Sequence, residues 1–120
     1  MGCENSCPPE PFNKPGNKIL AEWEPNKWYS ASVVKSGWLK WTISFEDGVT
    51  KQCLCKQLAI DKSVPIEKLN PKDKVIAKWR GGNWFTGNII KIDRPNNNVQ
   101  IIFYDGIIET VPISDIRSHP

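Results

Sequence analysis

Apolar residues in this chain recur at every second position. Ile19, Ala21 and Trp23 form one such row, Tyr29, Ala31 and Val33 a second, and Trp41, Ile43 and Phe45 a third. A spacing of two places side chains on one face of a strand, whereas a helix would need spacings of three and four. The rows are separated by turn formers: "EPNK" at 24–27, "KSG" at 35–37 and "EDG" at 46–48. Asp-Gly between two apolar rows predicts a tight hairpin. The pattern therefore predicts three consecutive strands, then a fourth carrying Cys53 and Cys55, and a short last element near Leu58.

The same pattern is written a second time. "ILAEWEPNKWYSASVV" at 19–34 corresponds to "VIAKWRGGNWFTGNII" at 75–90, an offset of 56 (Trp23 to Trp79). Tyr29, Ala31 and Val33 correspond to Phe85, Gly87 and Ile89. "WTISFEDG" at 41–48 corresponds to "VQIIFYDG" at 99–106, an offset of 58 that the longer turn "DRPNNN" at 93–98 absorbs. Cys53 and Cys55 occupy the places of Val111 and Ile113, and Leu58 that of Ile116. One supersecondary unit thus occurs twice. Four or five short strands in about 50 residues can hide their edges only by curling into a small barrel. The expected architecture is all-β: two small barrels in tandem, each of four to five antiparallel strands.

The expected boundaries are a flexible, Pro-rich lead-in at 1–14, a first barrel at 15–60, a linker at 61–70 and a second barrel at 71–118. One register stays open, because "VPIEKL" at 64–69 also matches "VPISDI" at 111–116. The preferred alignment ends the first unit near Leu58, since "LNPKDK" precedes the second unit as "NKPGNK" precedes the first.

Composition adds little to this. Hydrophobic residues at 39% and charged ones at 24% are those of a folded domain, and a net charge of +3 permits contact with nucleic acid without arguing for it. No apolar run approaches the ~20 residues of a membrane span. "MGCENS" fits the Met-Gly-x-x-x-Ser acylation pattern, a short motif with many chance matches; a membrane partner is not expected.

The order A-x-W, W-[YF]-x-[AG], [SI]-F-x-D-G resembles the Tudor domain of the Royal superfamily, and it does so twice, over nearly all of the chain after the lead-in. The resemblance implies SH3-like barrels and a nuclear, chromatin-associated protein. It would read methylated lysine, or less often methylated arginine, on histone tails. It also implies an aromatic cage at Trp23, Tyr29 and Phe45 with Asp47 in the first barrel, and at Trp79, Phe85 and Phe103 with Asp105 in the second. Relatives often carry a further aromatic just after the hairpin glycine, where this chain has Val49 and Ile107.

The residues themselves agree. Each aromatic ends an inward-facing row, so the three should gather at one mouth of a barrel. There they would attract a methylammonium through cation–π forces, with a rim carboxylate adding Coulomb attraction. Three walls at ~1–2 kcal/mol each, less the cost of ordering the ligand, imply an affinity weaker than micromolar. The same rings could instead cap a small barrel that needs large side chains, and Asp-Gly makes a good turn without any ligand.

Charge separates the two units. Glu22, Glu24, Glu46 and Asp47 stand around the first mouth, and Lys78, Arg80, Tyr104 and Asp105 at the matching places of the second. A cationic ligand should prefer the first. The alternative functions are DNA binding through Lys72, Lys74, Lys78, Arg80, Lys91 and Arg94, which would be strongly salt-dependent, and a protein-interaction module that involves no methylated residue. Catalysis has little support: the single His119 is next to the C-terminus and expected to be mobile, and Asp47 and Asp105 lie in separate units. No cofactor, small-molecule substrate or metal is expected. Cys3, Cys7, Cys53 and Cys55 contain no C-x-x-C pair, and Cys53 and Cys55 read as small core residues in a reducing compartment.

Overall fold

The computed structural model describes residues 7–79 and 81–120. Its regular elements are strands and three single-turn 3-10 helices. The chain divides into two compact units. One holds 7–23 and 29–61, grouped with Pro120. The other holds 24–28 and 62–119.

The first unit contains β1 (Lys18–Glu24), β2 (Lys27–Lys35), β3 (Lys40–Phe45), β4 (Thr50–Leu54) and β5 (Leu58–Ile60). They pair antiparallel in the order β5-β1-β2-β3-β4. The rows of spacing two converge on one core of Ile19, Ala21, Ala31, Val33, Trp41, Ile43, Phe45, Cys53, Cys55 and Leu58, with Tyr29 packed against it. Trp23 departs from its row: it is 37% exposed and lies at the mouth, not in the core. Leu20 departs in the other sense. It is fully buried on the opposite face of β1, so that strand is covered on both sides at its centre.

The second unit repeats the plan with β6 (Lys74–Trp79), β7 (Asn83–Asp93), β8 (Asn98–Phe103), β9 (Ile108–Pro112) and β10 (Ile116–Ser118), in the order β10-β6-β7-β8-β9. Even the irregularities repeat. A bulge between Val33 and Lys35 in β2 recurs between Ile89 and Lys91 in β7. Cys55 and Ile113 each open a 3-10 turn instead of continuing the fourth strand. Leu58 and Ile116 then return to pair with β1 and β6. The open register is thereby decided. Residues 64–69 copy the local 3-10 turn (Ile66–Lys68) but no strand pairing, while their buried Leu69 joins the second core.

Two expectations fail near the N-terminus. The described part of the lead-in is tied down. Asn17 Nδ2 donates to the carbonyls of Pro11 and Lys14, and the Gly16 amide donates to the Val33 carbonyl at 2.8 Å. The cysteines are not all reduced core residues either, because Cys7 and Cys55 form a disulfide. Spacing alone could not reveal this, because the partners stand 48 residues apart and the segment that brings Cys7 to the barrel has no periodicity. Cys53 does behave as a core residue: burial pushes its thiol up, against a smaller lowering effect of Lys51, and keeps it protonated. His119 is not loose; its ring meets Trp28 edge-on at 5.5 Å within the second unit.

Two stability tests follow. A cross-link closing 48 residues removes unfolded-state entropy worth about 4 kcal/mol in the loop-closure picture. Urea unfolding with and without reductant should differ by up to that amount, and Cys7→Ser should abolish the difference. Gly87 stands where the first unit has Ala31. A Cβ there would lie 2.5 Å from Ile101 Cγ2 and 3.0 Å from the Ile102 carbonyl oxygen. Gly87→Ala should therefore destabilise by about 1–3 kcal/mol, read as a lower urea midpoint.

Candidate functional site: two aromatic mouths

The β3–β4 and β8–β9 hairpins build the mouths. Gly48 and Gly106 have φ of 90° and 91°, a left-handed conformation that a Cβ would oppose. Their amides donate to the carbonyls of Phe45 and Phe103, both at 2.9 Å. The Phe45 and Phe103 amides in turn donate to the carbonyls of Val49 and Ile107, both at 2.8 Å. Each turn thus fixes the last aromatic of the third strand at the barrel's end. The aspartates belong to the same device. Asp47 Oδ1 accepts the Val49 amide at 3.0 Å, and Asp105 Oδ1 accepts the Ile107 amide at 3.2 Å.

In the first unit Trp23, Tyr29 and Phe45 do meet. Trp23 and Phe45 lie 4.5 Å apart at a tilt of 41°. Tyr29 stands edge-on to both, at 6.1 Å from Trp23 and 6.5 Å from Phe45. Trp23 is the most exposed of the three rings. A cation of the chain itself is already there: Lys51 Nζ lies 5.6 Å from the Trp23 ring centre and 3.5 Å from the Trp23 carbonyl oxygen. Sequence reading missed Lys51. The signal was present, since the hairpin pairing puts it opposite Ile43, two strand positions from Phe45.

In the second unit Trp79, Phe85 and Phe103 also meet, with a different shape. Trp79 and Phe103 stack nearly parallel, 12° apart at 4.4 Å, a face-to-face contact with no space between the rings. Phe85 is edge-on to both at 5.5 and 6.5 Å. Tyr104, read from sequence only as a rim residue, is a fourth ring, 6.1 Å from Phe85 and 20° from parallel.

The charged residues fare unevenly. Glu22 and Glu46 belong to the first unit, with Glu46 exposed beside the hairpin. Glu24 falls in the 24–28 segment grouped with the second unit and lies 3.7 Å from Lys27. Two of the six basic residues expected on DNA are engaged elsewhere. Arg94 donates to the carbonyls of Ile66 and Leu69 at 2.8 and 3.4 Å and so staples the expected linker to the second core. Lys78 Nζ lies over Trp84 at 5.2 Å, with the Arg117 guanidinium also against that ring at 4.7 Å. Lys72, Lys74 and Lys91 are exposed, and Arg80 lies outside the described residues.

No family model matches the sequence, nor does any curated protein. Solved structures do match the fold. The tandem Agenet domain 3-4 of ADCP1 overlays with a TM-score of 0.57 at 16% identity, over 90% of this chain and 81% of that one. AGD34 of Arabidopsis thaliana AGDP1 overlays with a TM-score of 0.59, again at 16% identity, over 90% and 83%. The tandem Tudor domains of Crb2 give a TM-score of 0.38 at 20% identity, over 88% and 79%, too low to add to this. The fold is therefore that of the tandem Agenet domains, two small all-β units as the repeated pattern predicts.

The turn role of Asp47 can be measured by substitution. Asp47→Ala removes the acceptor of the Val49 amide and should cost about 1 kcal/mol of stability. Asp47→Asn keeps an oxygen in place and should cost less than half of that. Comparing urea midpoints of the two variants checks the structural role before any binding experiment is read.

Proposed function

We propose that this chain is a non-catalytic chromatin reader. In this reading the first barrel's cage of Trp23, Tyr29 and Phe45, with Asp47 at its rim, takes a methylated lysine of a histone tail in the nucleus. The observation that carries the proposal is the position of Lys51. The exposed Trp23 face is a surface on which a lysine ammonium already rests, within the ~6 Å over which a ring quadrupole attracts a cation. An incoming methylammonium has the same charge, sheds water more easily, and makes closer contact with the rings.

Two further features favour the first barrel over the second. Its Trp–Phe pair is tilted, whereas the flush stack of Trp79 on Phe103 offers only its outer surface. Its rim also has Glu46 and the second oxygen of Asp47 beside the hairpin, and these lower the cost of bringing in a cation. The tandem Agenet fold is compatible with this reading.

The test is a titration of isotopically labelled protein with histone-tail peptides in unmodified and methylated forms, followed through backbone amide and indole signals. Methylated lysine should shift Trp23 and its neighbours, and the unmodified peptide should not. Trp23→Ala should lose the binding and Trp79→Ala should leave it nearly intact; the reverse pattern would move the site to the second barrel. A response to methylarginine alone would change the ligand class. Lys51→Ala should tighten binding by about two- to fivefold, because the displaced contact is worth about 0.5–1 kcal/mol at an exposed site.

A further inference from the structure

The end of the first barrel away from the cage carries a feature with no counterpart in the repeat. The turn between β2 and β3 projects Trp38, which is 89% exposed, and Leu39, which is 62% exposed. Val34 and Leu54, 45% and 39% exposed, lie at the same end. Leu54 is directly across the ladder from Lys40, the first residue of β3. Gly37 holds the turn tight, since a Cβ there would collide with the Lys40 carbonyl.

The matching turn of the second barrel reads "DRPNNN" and has no large aliphatic or aromatic residue. The fold therefore does not require apolar residues at this place. A solvent-facing Trp-Leu pair that serves no packing purpose marks a contact surface.

Charge identifies the class of partner. Lys35 and Lys40 flank the tip on either side, and Lys56 follows in the 3-10 turn after Leu54; all three are exposed. The acidic groups at this end are Glu10, in the lead-in turns, and Asp61, which follows β5 beside Lys18. The other acidic side chains of this barrel, Glu22, Glu46 and Asp47, are toward the cage end. The partner is therefore anionic and also accepts apolar side chains.

We propose that the Trp38–Leu39 tip docks on the surface of an anionic lipid bilayer. The indole and Leu39 would enter the interfacial layer, while Lys35, Lys40 and Lys56 would lie over the headgroups. Bases stacked on Trp38 would also satisfy the lysines. They would leave Leu39, Val34 and Leu54 in water, however, whereas the interfacial layer takes up the aliphatic neighbours as well. The tip is convex, so it suits insertion better than capture of a peptide in a groove.

The test is co-sedimentation of the unacylated protein with phosphatidylcholine vesicles, and with vesicles in which about a third of the lipid is phosphatidylserine. The protein should pellet with the anionic vesicles and much less with the neutral ones. Trp38→Ala and Lys35→Gln/Lys40→Gln should each reduce the bound fraction at least about threefold. These side chains are exposed, so an unchanged urea midpoint shows that the fold persists. Absence of pelleting by the wild type overturns the proposal, as does pelleting that Trp38→Ala leaves unaltered. Trp38-dependent binding to a single-stranded oligonucleotide, with none to vesicles, overturns it in favour of a nucleic-acid platform. The cage reading is untouched by any of these results, because Trp23 is at the opposite end of the strands.

Discussion

Each barrel depends on one short piece of backbone, the Phe-x-Asp-Gly hairpin. The glycine supplies a left-handed conformation, the aspartate accepts the amide that follows it, and the phenylalanine closes a narrow pair of ladder bonds. Together these set where β3 and β8 stop, and so where the last inward ring stands. Trp23 and Tyr29, or Trp79 and Phe85, arrive at the same height because β1–β2 and β6–β7 are registered against those strands. The cage and the hairpin are thus one construction. In the proposed reading the aspartate would therefore have two jobs: one oxygen holds the turn, and the carboxylate as a whole would lend the mouth negative charge.

Much of this was legible from the chain because a repeat acts as its own control. Alternation by itself gives strands of either face. Alternation written twice at an offset of 56 also gives register, and the core of each unit follows the spaced rows nearly residue for residue. What escaped has a common physical cause: it depends on which parts of the chain a turn or a pairing brings together. Lys51 reaches Trp23 across the β3–β4 ladder, Arg94 reaches back 28 and 25 residues to the carbonyls of Ile66 and Leu69, and Cys7 reaches Cys55. None of these contacts has a period. Tyr104 was visible as a residue but not as a wall, since its ring turns toward Phe85 only once the hairpin is built.

The disulfide and a nuclear location pull in opposite directions, because thiols are kept reduced in that compartment. The geometry reduces the conflict. Cys55 lies beyond Leu54, at the end of β4 remote from the hairpin, and its bond secures the N-terminal segment to the barrel. The strand ladders, the hairpin turn and the three rings do not include it. Opening the bond would free an entropic restraint and leave the cage assembled on the same hydrogen bonds.

The strongest contrast between the two halves is at the position that faces the cage from the fourth strand. Lys51 in the first unit is matched by Glu109 in the second, across from Ile43 and Ile101 respectively. Charge counted only around the sequence motifs makes the first mouth acidic and the second basic, but this cross-strand pair runs the other way. The first mouth combines carboxylates with a tethered ammonium, so its aromatic face is kept occupied at small energetic cost and is readily exchanged. The second has a carboxylate in that position but has closed its Trp–Phe pair into a stack. In the proposed reading a cation would meet a tilted Trp–Phe pair with a weak competitor in one barrel and a favourable charge over a parallel stack in the other. An exposed cation–π contact of about 0.5–1 kcal/mol is easier to displace than a flush aromatic stack is to part, since parting it would re-expose apolar area from both rings. That inequality, more than the rim charges, is what the proposed choice of the first barrel rests on.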